Sequence, residues 1–314
     1  MQRTANPCTP VRFRPQPPVN MKKIIKKAII PVAGLGTRML PATKAIPKEL
    51  LPIGDKPLIQ YVAEEAIDAG IKELIFITRS GKEAIENHFD LNFELEYLLE
   101  SSGKKKILRS IKKVIPEDIR ITSVRQERAL GLGHAILCAE HLVEDQPFAV
   151  LLPDEFLLSK GNKSDFNNMI DLFEKKQMGQ ILVEKIPLKN SMHYGIVDIG
   201  AKRISKSSPQ VIHKLLEKPN PSKSPSNLRV VGRYILPNQV MKELKKAKPG
   251  KDKEIQLTDS IDNCIKTKNL GFSALLTDSL IFDCGSKKGF LGANIALAKH
   301  DSEMKKYMTE VLKK

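Results

Sequence analysis

The sequence predicts an α/β fold with a Rossmann-like, mixed but mostly parallel central sheet flanked by helices. Three short apolar runs, at residues 28–33, 74–78 and 148–152, have the length and composition of strands buried on both faces. Between the first two runs, apolar residues recur at helical spacing over residues 57–69, and Gly70 ends that helix. A strand–helix–strand alternation indicates parallel strands joined by right-handed crossovers.

The chain continues this alternation of strands and helices, and its second half is predicted to contain a series of successive strands followed by helices. Further strands are predicted at residues 119–124, 181–186, 194–199, 211–217 and 229–235. Helices are predicted as two or three segments over 83–113, then at 133–142, near 237–247 and 255–266, and from 286 to about 311. The strands of the second half have no long helices between them, which favours a mixed region beside the parallel sheet. The sequence contains no internal repeat and no low-complexity linker, so we expect one compact unit.

The first 20 residues differ from the remainder. They contain five prolines and no acidic residue, and they lack the apolar stretch of a secretory signal. We expect residues 1–20 to be a disordered extension. Elsewhere no apolar run is long enough to span a bilayer. The four cysteines form no CxxC pair and no zinc-ligand spacing, which is typical of reduced thiols in a cytoplasmic protein.

The formal net charge of +16 has three interpretations. It can be a solvated basic surface, it can raise the local concentration of small polyanionic substrates, or it can bind nucleic acid. The chain has no Trp, and its lysine runs are not interleaved with the aromatic residues that stack on bases. We therefore expect neither a nucleic-acid partner nor a membrane partner.

The segment GLGTRMLPATKAIPKELLP at residues 34–52 has the features of a phosphate-binding loop. Gly34 and Gly36 follow the first strand, where glycine lets backbone N–H groups approach phosphate oxygens. Arg38 and Lys48 add cations, and three prolines restrict the chain. Met39 replaces the third glycine of GxGxxG, and GxxxxGK[ST] is absent, so dehydrogenase and P-loop interpretations are weak.

With its surroundings, this segment resembles the signature of the nucleoside-diphosphate-sugar pyrophosphorylases. The resemblance covers roughly residues 25–300, with motifs in a fixed order. They include DKPLIQY at 55–61, VRQ at 124–126, GLGHA at 131–135, LPD at 152–154, YGIV at 194–197, EKP at 217–219, VGRY at 231–234, EIQLTD at 254–259 and DCG at 283–285.

The resemblance implies transfer of the uridylyl group of UTP to α-D-glucose 1-phosphate, by direct in-line attack at the α-phosphorus with Mg²⁺. A sugar phosphate has a second pKa of about 6 and is largely dianionic at neutral pH, so no general base is needed. The protein must align two polyanions and stabilise the developing charge. Thymidylyl or cytidylyl transfer is a close alternative. A catalytically inactive homologue is another, but every charged residue that the family motif requires is present.

The resemblance also assigns roles to individual residues. Arg38 and Lys48 would be catalytic and meet the triphosphate. Asp154 would hold the metal together with Asp283, for which a helix N-cap is an equally good interpretation. The nucleotide-binding set would be Ala33, Gly34, Gly36, Thr37, Gln126 and Gly131. The sugar-phosphate-binding set would be Gly195, Glu217, Lys218 and Gly232.

The same resemblance implies a single domain over residues 21–314. Its first half, residues 21–160, would bind the nucleotide, and residues 161–314 would bind the sugar phosphate and contribute the C-terminal helices. Relatives of this kind suggest a homo-oligomer, either a dimer or a tetramer.

Overall fold

The computed structural model describes residues 25–112, 114–161, 163–250, 253–268 and 270–313. The predicted extension at residues 1–20, which includes Cys8, lies outside these ranges. Within them, no helix is both long and apolar enough to cross a bilayer.

Strands and helices alternate along the described chain. The strands are β1 (Lys27–Pro31), β2 (Pro52–Ile53), β3 (Lys56–Pro57), β4 (Glu73–Thr78), β5 (Arg120–Arg125), β6 (Phe148–Leu151), β7 (Glu155–Leu158), β8 (Gly179–Lys185), β9 (Gly195–Asp198), β10 (Gln210–Val211), β11 (Lys214–Glu217), β12 (Leu228–Leu236), β13 (Phe272–Leu276) and β14 (Leu280–Asp283). The helices are α1 (Leu58–Asp68), α2 (Glu83–Phe89), α3 (Phe93–Ser101), α4 (Lys105–Lys112), α5 (Leu132–Leu137), α6 (Glu140–Val143), α7 (Asp165–Lys176), α8 (Gln239–Leu244), α9 (Leu257–Lys268), α10 (Lys287–His300) and α11 (Ser302–Val311).

One large mixed sheet forms the centre of the molecule. Its main path runs β10-β13-β8-β12-β6-β1-β4-β5, with β9 and β11 attached at β12. Strands β6, β1, β4 and β5 are parallel, as predicted, and so are β8 and β13. Strand β12 lies antiparallel between β6 and β8 and joins these two parallel blocks. The α/β prediction with a mostly parallel central sheet is confirmed.

The sheet is covered on both faces, because successive side chains of its central strands point to opposite sides. On β1, Ile29 packs into one core cluster with residues of α5, α8 and α9, whereas Ala28 and Ile30 pack into a second with residues of α1 and α7. This two-sided burial explains why the sequence of β1 reads as a continuous apolar run rather than an alternation. A third, smaller cluster joins Phe156 and Cys284 to α10.

Several boundaries differ from those predicted. The helix expected at 133–142 is two short helices, α5 and α6, and the strand expected at 211–217 is β10 and β11, which pair with different strands. Strands β7, β13 and β14 and helix α7 were not predicted. The three helices at 83–112 and the helical C-terminus agree with the prediction.

The carboxyl ends of the parallel strands place the predicted site residues at one edge of the sheet. The glycine-rich loop follows β1, Gln126 follows β5, and Asp154 follows β6. In the strand order β6-β1-β4-β5, the segments after β6 and β1 follow neighbouring strands, and Gln126 lies two strands beyond β1 at the same edge.

Candidate active site

The loop after β1 folds back on itself through three short 3-10 turns. These turns are Thr37–Met39, Ala42–Lys44 and Lys48–Leu50. Gly36 has φ of 67°, a left-handed conformation that favours glycine, and its carbonyl accepts a hydrogen bond from Thr43 Oγ1 at 2.8 Å. The predicted nucleotide residues Ala33, Gly34, Gly36 and Thr37 lie together on this loop. A Cβ on Gly34 would lie 3.7 Å from Lys48 Cε, so the glycine passes close beside that side chain.

Two cations and two carboxylates meet where this loop crosses the ends of β6 and β14. Lys48 Nζ donates to Asp154 Oδ2 at 2.8 Å. Arg38 lies between the acids, with Nη1 3.2 Å from Asp283 Oδ2 and Nη2 3.8 Å from Asp154 Oδ2. The sequence separates these residues by up to 245 positions, and the fold brings all four predicted side chains together.

Lys48 and Asp154 stabilise each other's charged form. Burial would lower the pKa of Lys48, but the negative charges of Asp154 and Glu49 and the hydrogen bond to Asp154 together outweigh burial, and the pKa is raised. Burial would likewise raise the pKa of Asp154, yet the nearby Lys48 charge and its hydrogen bond lower that pKa below the ordinary value. Both groups are therefore ionised at neutral pH.

The two carboxylates fit a divalent cation that is shared with substrate. A Cβ on Gly285 would lie 3.0 Å from Asp283 Oδ1 and 3.1 Å from Asp154 Oδ2, so glycine leaves space between the acids. Within the described ranges, no group of three or more His, Cys, Asp or Glu side chains could hold a metal by itself. Mg²⁺ commonly uses one or two carboxylates and completes its shell with water and phosphate oxygens.

The N-cap interpretation of Asp283 is wrong. Helix α10 is capped by Ser286, whose side chain accepts a hydrogen bond from the Gly289 N–H. Asp283 Oδ1 instead accepts from the N–H of Gly285 at 3.0 Å, which fixes its carboxylate toward Arg38. The DCG motif is the signal that could have identified Gly285, a site residue that sequence reasoning did not assign.

The predicted base-binding residues Gln126 and Gly131 lie between the end of β5 and the start of α5. The Gln126 backbone N–H donates to the carbonyl of Thr78 at the end of β4, and its side-chain nitrogen donates to the carbonyl of Gly131 at 3.2 Å. Gly131 has φ of 91°, and a Cβ there would lie 2.7 Å from Glu254 Cβ. His134 on α5 has Nδ1 3.1 Å from Gln126 Nε2.

A cavity of about 160 Å³ adjoins this region and collects most of the predicted sugar-binding residues. Gly195, Glu217 and Gly232 line it together with Tyr194 and Thr258. Thr258 Oγ1 donates to Glu217 Oε2 at 2.9 Å, which fixes the carboxylate in the cavity wall. A Cβ on Gly232 would lie 2.5 Å from Leu152 Cβ, so β12 approaches β6 there more closely than a larger residue allows.

Lys218 does not line this cavity. Its backbone has φ of 43°, and its ammonium lies 3.4 Å from Glu217 Oε1 with the side chain half exposed. The structure thus places Lys218 at the margin of the cavity, next to the glutamate with which the motif groups it.

A buried ionic network lies next to Asp154 and the cavity lined by Glu217. Glu155 is buried and accepts a hydrogen bond from Arg229 Nη1 at 2.7 Å. Arg229 also pairs with Glu184 at 2.7 Å and stacks over the Tyr194 ring at 4.7 Å. Through Arg229, this network connects Glu155, the residue after Asp154, to Tyr194, which lines the cavity. Sequence reasoning could not find it, because strand pairing alone brings Arg229 to Glu155.

Comparisons with known proteins identify the family of this chain. The sequence model of the nucleotidyl transferase family matches residues 27–300. The UTP–glucose-1-phosphate uridylyltransferase of Haemophilus ducreyi is 46% identical over 270 residues, covering 85% of this chain and 91% of that protein. The protein of the same name from Escherichia coli is 46% identical over 275 residues, covering 86% and 89%. A UTP-bound UGPase structure from Acinetobacter baumannii has a TM-score of 0.85 at 42% identity, covering 92% of this chain and 98% of its own. The chain therefore belongs to the nucleotidyl transferase family.

Proposed function

We propose that the protein transfers the uridylyl group of UTP to α-D-glucose 1-phosphate and releases pyrophosphate. The observation that carries this proposal is the cluster of two cations, Arg38 and Lys48 on the glycine-rich loop, with two carboxylates, Asp154 and Asp283. The relatives' names supply the two substrates. The cluster supplies the charges that such a reaction needs.

The reaction requires alignment and charge stabilisation rather than proton transfer. Lys48 pairs with Asp154, and Arg38 pairs with Asp283. On substrate binding, the carboxylates would hold a divalent cation, and Lys48 and Arg38 would exchange their acidic partners for phosphate oxygens. Arg38 can make this change because its side chain is 60% exposed, and guanidinium binds phosphate oxygens in a fork.

Nucleotidyl transferases generally use a divalent metal, and we propose Mg²⁺ here. When bound, such a cation would supply positive charge that offsets the charge developing on the phosphates. Asp154 and Asp283 would hold it. The backbone of Gly34 and Gly36 would approach the phosphates, with Ala33 and Thr37 contributing from the same loop.

The two ends of the site would bind the two organic groups. Gln126 and Gly131 would contact the pyrimidine, because an amide matches the edge of the base and a glycine leaves room for its plane. Glu217 in the cavity wall would accept hydrogen bonds from sugar hydroxyls. Gly195 and Gly232 would allow the sugar to approach the backbone, and Lys218 would pair with its phosphate.

A pyrophosphate-release assay tests the function. The protein is incubated with UTP, TTP or CTP against a panel of sugar 1-phosphates, with Mg²⁺ and then with EDTA. UTP with glucose 1-phosphate should give the highest kcat/KM, and EDTA should abolish the reaction until Mg²⁺ is returned. A different best pair would overturn the substrate assignment, and full activity in EDTA would overturn the metal assignment.

A matched pair of variants tests the role of Arg38. Arg38→Ala should mainly lower kcat, because the guanidinium stabilises charge that develops during transfer. Arg203→Ala removes an exposed arginine outside the site and should leave kcat unchanged. A rise in KM alone in Arg38→Ala would contradict a transition-state role.

The homo-oligomer and the cytoplasmic location remain proposals. Light scattering coupled to size-exclusion chromatography would measure the first directly, and a single monomeric mass at assay concentrations would overturn it.

A further inference from the structure

The side-chain amide of Gln126 is bonded on its nitrogen side only. Nε2 donates to the Gly131 carbonyl at 3.2 Å and lies 3.1 Å from Nδ1 of His134. From the described part of the chain, Oε1 receives no hydrogen bond. An amide nitrogen has two N–H donors, so these two contacts use its full capacity.

The chemistry of Gly131 determines which way the amide points. A backbone carbonyl only accepts hydrogen bonds, so the atom of Gln126 facing it must be the nitrogen. That carbonyl cannot turn away, because it also accepts the N–H of Ala135 at 3.1 Å in the first turn of α5. The second N–H then points to His134, whose Nδ1 must be the unprotonated acceptor with the proton on Nε2.

The segment that carries these groups is held at several further points. The Gln126 N–H donates to Thr78, and the N–H of Gly133 donates to the Ile255 carbonyl at 2.8 Å. The N–H of Ile255 in turn donates to the carbonyl of Leu130 at 2.7 Å. The backbone is therefore fixed, and the remaining freedom is rotation of the Gln126 amide, which His134 opposes.

We infer that His134 is a positioning residue that selects an imide base by holding the Gln126 carbonyl oxygen toward the nucleotide. The inference rests on the proposed function, which places the pyrimidine at Gln126. An acceptor oxygen matches the N3–H of uracil, and equally that of thymine. Cytosine presents an unprotonated N3 lone pair instead, so the two acceptors would face each other unpaired. Without His134, the amide loses one of the two bonds that fix its direction and can turn its amino group to the base.

The test compares nucleotide discrimination in His134→Leu and His134→Asn. The kcat/KM values for UTP, TTP and CTP are measured with glucose 1-phosphate by pyrophosphate release. His134→Leu removes the acceptor, and its UTP-to-CTP ratio should fall by about tenfold, mainly through KM for UTP, because the base is remote from the reacting phosphorus. His134→Asn keeps an acceptor oxygen near the place of Nδ1 and should retain most of the ratio. The UTP-to-TTP ratio should not change, since both bases carry the same imide.

A matched control is His88→Leu. His88 also pairs with a glutamine amide, with Nε2 3.1 Å from Gln60 Oε1, but it lies on α2 away from this segment. Its loss should leave the UTP-to-CTP ratio unchanged. If His134→Leu does not melt cooperatively, His134→Ala replaces it with the same expected ratio.

Two results separate the inference from the proposed function. A wild-type protein that releases no pyrophosphate from UTP and glucose 1-phosphate would sink the proposed function, and the inference with it. A wild type that prefers UTP, together with a His134→Leu variant that keeps the wild-type UTP-to-CTP ratio, would overturn the inference alone. An equal fall of the UTP-to-CTP ratio in His134→Leu and His134→Asn would also overturn the inference, because a hydrogen-bond acceptor at position 134 would then make no difference.

Discussion

Substitution of Gly285 by alanine should damage catalysis while leaving the fold almost unchanged. The added Cβ would lie 2.5 Å from Arg38 Nη2. Van der Waals contact between such atoms is optimal at about 3.5 Å, so the guanidinium must move by about 1 Å. Arg38 is an exposed, flexible side chain, so the displacement costs the fold little. A misplacement of this size in a reacting site costs about a hundredfold in rate, which is about 2.7 kcal/mol of activation free energy.

The assay compares kcat and the thermal melting temperature of Gly285→Ala with those of Gly161→Ala. A Cβ at Gly161 meets nothing within 4 Å, so this control adds the same methyl group without a contact. We expect kcat to fall about a hundredfold in Gly285→Ala alone, with melting temperatures close to wild type in both variants. The reasoning is refuted if Gly285→Ala keeps kcat within about threefold of wild type, since the position of Arg38 would then not matter for the rate.

Three further predictions concern burial, pH and the metal. Lys82 and Glu49 form a buried ion pair at 2.6 Å, so Lys82→Met should lower the free energy of unfolding in urea by about 3–5 kcal/mol. Adding Glu49→Leu should restore most of that free energy. An unchanged free energy of unfolding in Lys82→Met would show that the pair is not needed. Burial lowers the pKa of His88, so the folded state binds its proton less well than the unfolded state. The free energy of unfolding should therefore fall as pH drops below about 6.5. An equal pH slope in His88→Gln would show that His88 is not the cause of this fall. Asp154→Asn should lower kcat at least about a hundredfold and raise the Mg²⁺ concentration needed for half-maximal activity, and an unchanged Mg²⁺ titration would rule out Asp154 as a ligand.

The elements predicted best are those whose hydrophobic periodicity matches the burial of the strand or helix in the fold. The β1–α1–β4 unit has a clear change of period from strand to helix, and its boundaries agree within a few residues. Helix α7 was missed although Phe166, Met169, Ile170 and Phe173 follow helical spacing after the N-cap Ser164. That signal was present in the sequence and was overlooked.

Other elements exist only because of tertiary pairing. Strands β7 and β14 have four residues each, too few for a distinctive local pattern, and within the described ranges they pair only with one another. The same limit applies to the site. Family motifs indicated the four charged side chains, but the pairing of Arg229 with Glu155 spans 74 positions and depends on where β12 lies against β6. The spacing of residues in the sequence does not determine the register between two strands that are distant along the chain.

Under the proposed sugar-binding role of the cavity, strand β12 restricts how this enzyme could acquire a new sugar preference. All nine of its residues are buried, and the strand supplies Gly232 to the cavity and Arg229 to the charge network beneath it. A substitution there alters the core and the pocket together, so gains in selectivity would come with losses in stability. Tyr194 and Thr258 lie outside β12 and border the same cavity. Directed evolution toward other hexose phosphates should therefore accumulate changes at these positions and leave β12 intact.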